Sequence, residues 1–178
     1  MKKSSVVLAA LCLAALSMGS VSALAQMGAK DPVSLGTFGA WTAYTFDDGG
    51  GKVCFMSSQP IKQEASVQGA KRGAAFMFVT HWAVEKTKNV ISISVGYTLR
   101  ENGSVTLAVD GSNFTLFTQG EMAWTRDQTT DDAISAALAQ GSNVTVKGTS
   151  WRGTHTTDTY SLQGSADAYR AISQECGV

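Results

Sequence analysis

From Trp41 onward the apolar side chains recur at every second position. Trp41, Ala43 and Thr45 alternate with Thr42, Tyr44 and Phe46, and only an extended chain sends alternate residues to opposite faces. A helix would scatter them. The same period, carried by Val, Thr, Phe and Tyr, returns through most of the chain. The expected fold is therefore mostly β: a single-domain antiparallel β-sandwich or open barrel with two short helices.

Turn chemistry divides the pattern into strands. Asp47, Asp48 and three glycines separate residues 41–46 from 53–59 as a hairpin. Residues 61–72 are polar and are expected to form an exposed loop, whereas 74–81 and 90–97 are strongly apolar and are expected to be strands buried on both faces. Glu101-Asn102-Gly103-Ser104 carries an Asn-Gly signal for a type I′ turn joining 97–100 to 105–109. Asp110-Gly111-Ser112-Asn113 then leads into 114–118. Further strands are expected at 143–148 and 157–162.

The two helices announce themselves by a change of period. Thr129, Thr130, Asp131 and Asp132 place capping and acidic residues before 133–140, where Ile134, Ala137 and Leu138 share a face and Gly141 stops the helix. In the last helix, capped by Ser165 and running to about residue 174, Ala168, Ile172 and Cys176 recur every four positions. Cys176 should therefore face inward. No period of 20 to 50 residues repeats and no Pro- or Ser-rich linker intervenes, so one domain is expected.

Residues 1–25 read as an export signal. Lys2 and Lys3 precede an apolar run of about 11 residues, too short for a spanning helix of about 20, and Ala23-Leu24-Ala25 matches the small-residue cleavage pattern. Leu11 before Cys12 is too large for lipoprotein processing. The expected mature domain is 26–178, periplasmic, surface-associated or secreted, with no transmembrane segment. Its remaining cysteines, Cys54 and Cys176, are an even pair in an oxidising compartment and so are expected to form a disulfide. The competing reading, a reactive Cys54 thiol, wants an electropositive pocket that an apolar strand does not provide.

The full chain balances 14 basic against 14 acidic residues, which argues against nucleic acid as a partner. No cofactor or metal is expected either. There is no H-E-x-x-H and no paired C-x-x-C, and the glycines at 49–51 lack the Lys-Ser/Thr pair and the following helix of a phosphate loop. Ser150, His155 and Asp158 are the only group from which a hydrolase could be assembled. The G-x-S-x-G spacing is missed by one residue, however, and the segment joins two strands rather than a strand and a helix. Trp82, Trp124, Trp151 and Arg152 have the aromatic and arginine character of a binding surface. Tryptophans in strand patterns also serve as packing residues.

Two stretches carry a resemblance: Leu35-Gly36-Thr37-Phe38-Gly39-Ala40-Trp41, and Lys52-Val53-Cys54-Phe55-Met56-Ser57-Ser58-Gln59-Pro60. With Phe117-Thr118-Gln119-Gly120, Ala123-Trp124, Lys147 to Ser150 and Thr159 to Leu162 in the same order, the chain resembles the invasion-associated locus B family of exported bacterial proteins. The resemblance implies a mostly β envelope protein and no established catalytic residues. The expected function is accordingly non-catalytic binding or structural work on an envelope or host component, possible host-cell invasion included. A periplasmic hydrolase using the His155 loop is the alternative.

Overall fold

In a computed structural model describing residues 31–178, the strands pair into one antiparallel sheet. The expected export signal and Cys12 lie outside the described residues. In chain order the strands are β1 (Val33–Phe38), β2 (Trp41–Asp47), β3 (Lys52–Ser58), β4 (Lys62–Ala65), β5 (Phe76–Trp82), β6 (Thr87–Ser94), β7 (Ser104–Val109), β8 (Ser112–Gln119), β9 (Met122–Trp124), β10 (Asn143–Thr149) and β11 (His155–Ser161). The helices are α1 (Gln128–Gln140) and α2 (Ser165–Cys176). The sheet order is β1-β2-β3-β5-β6-β9-β8-β7-β10-β11-β4. The mostly β expectation holds, in the form of a single unclosed sheet rather than two stacked ones.

The sheet curls until its two ends approach at one corner. There the Trp41 indole N–H donates to the Ser161 carbonyl at 3.0 Å, and the Ala40 N–H donates to the Gln163 carbonyl at 2.9 Å. Backbone meets backbone so closely that side chains are excluded. A Cβ at Gly164, which has φ +84°, would lie 2.0 Å from the Phe38 carbonyl oxygen, and one at Gly39 would lie 2.5 Å from that of Gln163. Only glycine satisfies both the positive φ and the close approach.

The inner face of the curl is the core. Trp41, Ala43, Cys54, Met56, Met77, Val79, Ile91 and Ile93 are buried on it, with Ile134 and Leu138 of α1 and Ile172 of α2 packed against them. Each buried Val, Leu, Ile or Met among them contributes about 1.5–3 kcal/mol by leaving water. α2 lies across β1, β2, β3 and β5, α1 lies across β6 and β7, and the helices touch one another. As its four-residue period predicts, α2 buries Ala168, Ile172 and Cys176. Cys176 bonds to Cys54 with their Cα atoms 6.0 Å apart, so the expected disulfide is present.

Several expectations need correction. Residues 61–72 are exposed throughout as expected except Arg72, but they include β4, which adds to β11 at the sheet edge. Both faces of β4 are wet, so no apolar period marks it. Burial along β5 alternates: Met77, Val79 and His81 are buried while Phe76, Phe78, Thr80 and Trp82 are partly exposed. Its purity in apolar residues reflects an aromatic outer face, not a second core. The turn near Asn102 closes one residue early, with the Gly103 N–H on the Arg100 carbonyl at 3.0 Å and φ positive at Asn102 but not at Gly103. It joins no hairpin, because β7 pairs with β8 and β10. Type I′ geometry falls instead at Asp110-Gly111, where φ is +44° and +96°.

The caps shift as well. Asp127, not Thr129 or Thr130, caps α1 by accepting the Thr130 N–H at 2.8 Å, and Gly141 ends that helix as expected. Gly164 stands at the α2 N-cap without a side-chain bond. Ser165 faces inward, its hydroxyl 2.7 Å from the Leu138 carbonyl and 2.8 Å from that of Leu162, which ties the two helices together.

Candidate functional site

A cleft of about 620 Å³ opens between the segment following β4 and the turn joining β10 to β11. That turn is rigid by construction. The Ser150 N–H donates to the Thr154 carbonyl and the Gly153 N–H to the Ser150 carbonyl, both at 2.9 Å, while the Ser150 hydroxyl accepts the Thr154 N–H at 3.1 Å. With its stem locked, the turn holds Trp151 and Arg152 at its tip. Trp151 is 61% exposed, and the Arg152 guanidinium carbon lies 4.8 Å from its ring centroid, a cation–π arrangement.

The floor of the cleft is a buried ion pair. Both terminal guanidinium nitrogens of Arg72 meet the Asp158 carboxylate at 2.7 Å, and its Nε–H donates to the Val95 carbonyl at 3.0 Å. The pair keeps two charges together where either alone would be costly. Below Arg72, 5.1 Å from its guanidinium carbon, lies the Tyr97 ring, whose hydroxyl is 2.6 Å from that of Thr156. Burial pushes the Tyr97 hydroxyl above its ordinary pKa, and the Thr156 hydrogen bond opposes part of that. Lys71, Arg152 and Glu121 carry the remaining charges lining the cleft.

The residues considered for hydrolysis do not converge. Ser150 accepts from Thr154 within its own turn, His155 is exposed with Nδ1 3.0 Å from the Thr149 hydroxyl, and Asp158 is buried and committed to Arg72. Three positions apart on one strand, His155 and Asp158 point to opposite faces. Arg72, read from sequence as the end of an exposed loop, is the residue that organises this region. The signal for it was Asp158 itself, since an acid at an inward strand position needs a cation.

The four expected binding residues divide between two places. Trp151 and Arg152 line the cleft, whereas Trp82 and Trp124 belong to strands rather than loops and lie on the outer face of the sheet. Phe78, Ser92, Trp124 and Phe117 are successive cross-strand neighbours there. Tyr44 stacks on Phe55 at 4.9 Å between centroids, and Phe76 on Phe78 at 5.8 Å. These rings shield one another, which leaves each of them partly exposed.

His81, fully buried on β5, serves structure. Its Nδ1 accepts the Asn89 N–H at 3.0 Å, which leaves Nε2 to donate to the Ser173 hydroxyl at 3.1 Å. Tyr169 meets the ring edge-on and donates to the Asn89 side chain at 2.7 Å. Burial lowers the His81 pKa from 6.5. A base depressed on folding binds more protons when unfolded, so its contribution is complete above pH 6.5 and is lost as pH falls through the lowered folded value. Urea midpoints measured at pH 7.5 and pH 5 should therefore fall with acidification in the wild type, and His81→Asn should reduce that fall. Equal falls in the two proteins would show that His81 does not carry the dependence. Asp131, raised by burial, acts in the opposite sense and cancels in the comparison.

Among the described residues no group of three or more His, Cys, Asp or Glu is placed to hold a metal ion, and no helix is long and apolar enough to cross a membrane. Fold and site together define a disulfide-stapled, curled β-sheet protein with a rigid aromatic turn over a polar cleft. The family model described as Invasion associated locus B (IalB) protein matches residues 41–173, and the chain belongs to that family. Neither the curated proteins nor the solved structures compared with the chain gave a match.

Proposed function

We propose that this chain is an exported envelope protein that binds a periplasmic, surface or host component through the cleft beneath Trp151 and Arg152, without catalysing a reaction on it. Residues 1–25 act as the export signal in this reading, and 26–178 form the single working domain. The carrying observation is the turn: hydrogen bonds among Ser150, Gly153 and Thr154 hold a large aromatic ring 61% exposed beside a cleft. An indole left mostly in water gains little for the fold, and exposed Trp and Arg side chains on a rigid support supply much of the binding energy at interfaces. Family membership and the disulfide fit an oxidising envelope compartment.

Crosslinked pull-down from intact envelopes tests this. Wild-type protein should recover a reproducible partner, and the folded Trp151→Ala, Arg152→Ala double variant should lose most of it. Equal recovery by the double variant would remove the cleft from the interaction.

A further inference from the structure

We propose that the cleft holds a short anionic saccharide, with Trp151 as the stacking platform and Lys71 and Arg152 as partners of its acidic groups. This rests on the reading that the cleft is the binding site. Its volume, about 620 Å³, lies within the roughly 300–1,000 Å³ typical of small-ligand sites. A short oligosaccharide fits that space.

Three features select the chemistry. First, the indole offers a flat apolar surface, which matches the C–H face of a pyranose, and its turn is already ordered before binding, so little entropy remains to be lost. Second, the cleft offers polar groups to sugar hydroxyls. The side chains of Thr98, Thr154 and Glu121 line it and form no side-chain hydrogen bond among the described residues. Third, its charge is unbalanced. The Arg72 charge is consumed by Asp158, but neither Lys71 nor Arg152 forms an ion pair among the described residues, and Glu121 is the one other acid on the wall. Arg100 adds a further cation nearby, its guanidinium 3.7 Å from where a Gly153 Cβ would stand. A carboxylate or sulfate on the sugar ring supplies the missing counter-charge, and Arg152 can take it with two parallel N–H bonds.

An acidic peptide fits less well. Extended peptides are read by alternate side-chain pockets along a strand edge, and β4, the strand bordering the cleft, is four residues long and exposed throughout. Apart from Trp151 and Tyr97, the apolar lining is limited to Ala65, Val67 and Ala70, which forms no deep anchor pocket.

Calorimetric titration of the purified full chain with tetragalacturonate and a heparin tetrasaccharide, against maltotetraose and tetraglutamate, decides the matter. At least one acidic sugar should bind tenfold or more tightly than both controls. Trp151→Ala, and separately the Lys71→Ala, Arg152→Ala pair, should each weaken it at least tenfold with an unchanged circular dichroism spectrum. Equal binding of tetraglutamate would make the cleft a peptide or simple anion site, and equal binding of maltotetraose would remove the anionic requirement. If no sugar binds while the pull-down still depends on Trp151 and Arg152, the saccharide inference fails and the cleft reading stands. If the pull-down is also indifferent to those residues, both fail.

Discussion

Converting Cys54 and Cys176 together to serine should lower the free energy of unfolding by about 4–5 kcal/mol, read as a large drop in denaturant midpoint. The bond joins residues 122 apart in sequence, and closing so long a loop removes much of the unfolded chain's freedom. It also fastens α2 to the inner face of β3, where both sulfurs are buried. Dithiothreitol should produce the same drop in wild-type protein once the chain is unfolded enough to expose the bond, and should leave the double variant unmoved. A double variant within about 1 kcal/mol of wild type would show that packing of α2, rather than the covalent link, holds the two ends of the chain together.

The next largest effect is expected at the cleft floor. Arg72→Met should cost about 3–5 kcal/mol, because Asp158 would be left charged and buried without a partner. Their side chains are 14% and 1% exposed, so water cannot substitute for the guanidinium. Asp158→Asn in the Arg72→Met background should recover much of the loss, since a neutral amide is far cheaper to bury than a carboxylate. A thermodynamic cycle over wild type, both single variants and the double variant measures the coupling, and a coupling below about 0.5 kcal/mol would reduce the pair to two independent residues. The same substitution removes the anchor between the segment after β4 and the backbone of Val95. Loss of cleft binding should therefore accompany loss of stability.

Elements that separate core from water were readable in the chain, and those that do not were hidden. β2 and β3 each present one buried and one half-exposed face, so their period of two is written in residue type. β4 has no dry face and left no mark. Asn102 correctly signalled a positive φ, but a local dihedral does not say which strands pair on either side of it. Several residues before α1 were chemically able to cap; Asp127 takes that place, while Asp131 turns inward and accepts from the Ile91 N–H at 2.9 Å and the Thr125 hydroxyl at 2.6 Å. For the candidate site, Trp151 and Arg152 were visible as an exposed-looking turn. Their proximity to Lys71 and Arg72 was not, because Arg72 and Asp158 are 86 positions apart.

The corner where Phe38, Gly39 and Ala40 meet Gln163 and Gly164 governs the order in which the molecule can be completed. A ribosome delivers the chain from its amino end, so β1, β2 and β3 exist for the synthesis of about 100 further residues without the segment that seals them. Until β11 emerges Trp41 lacks the Ser161 carbonyl, and until α2 emerges Cys54 lacks its bonding partner and one wall of the core stays wet. The corner between β1 and the segment before α2 therefore closes late, behind every strand that lies between them in sequence.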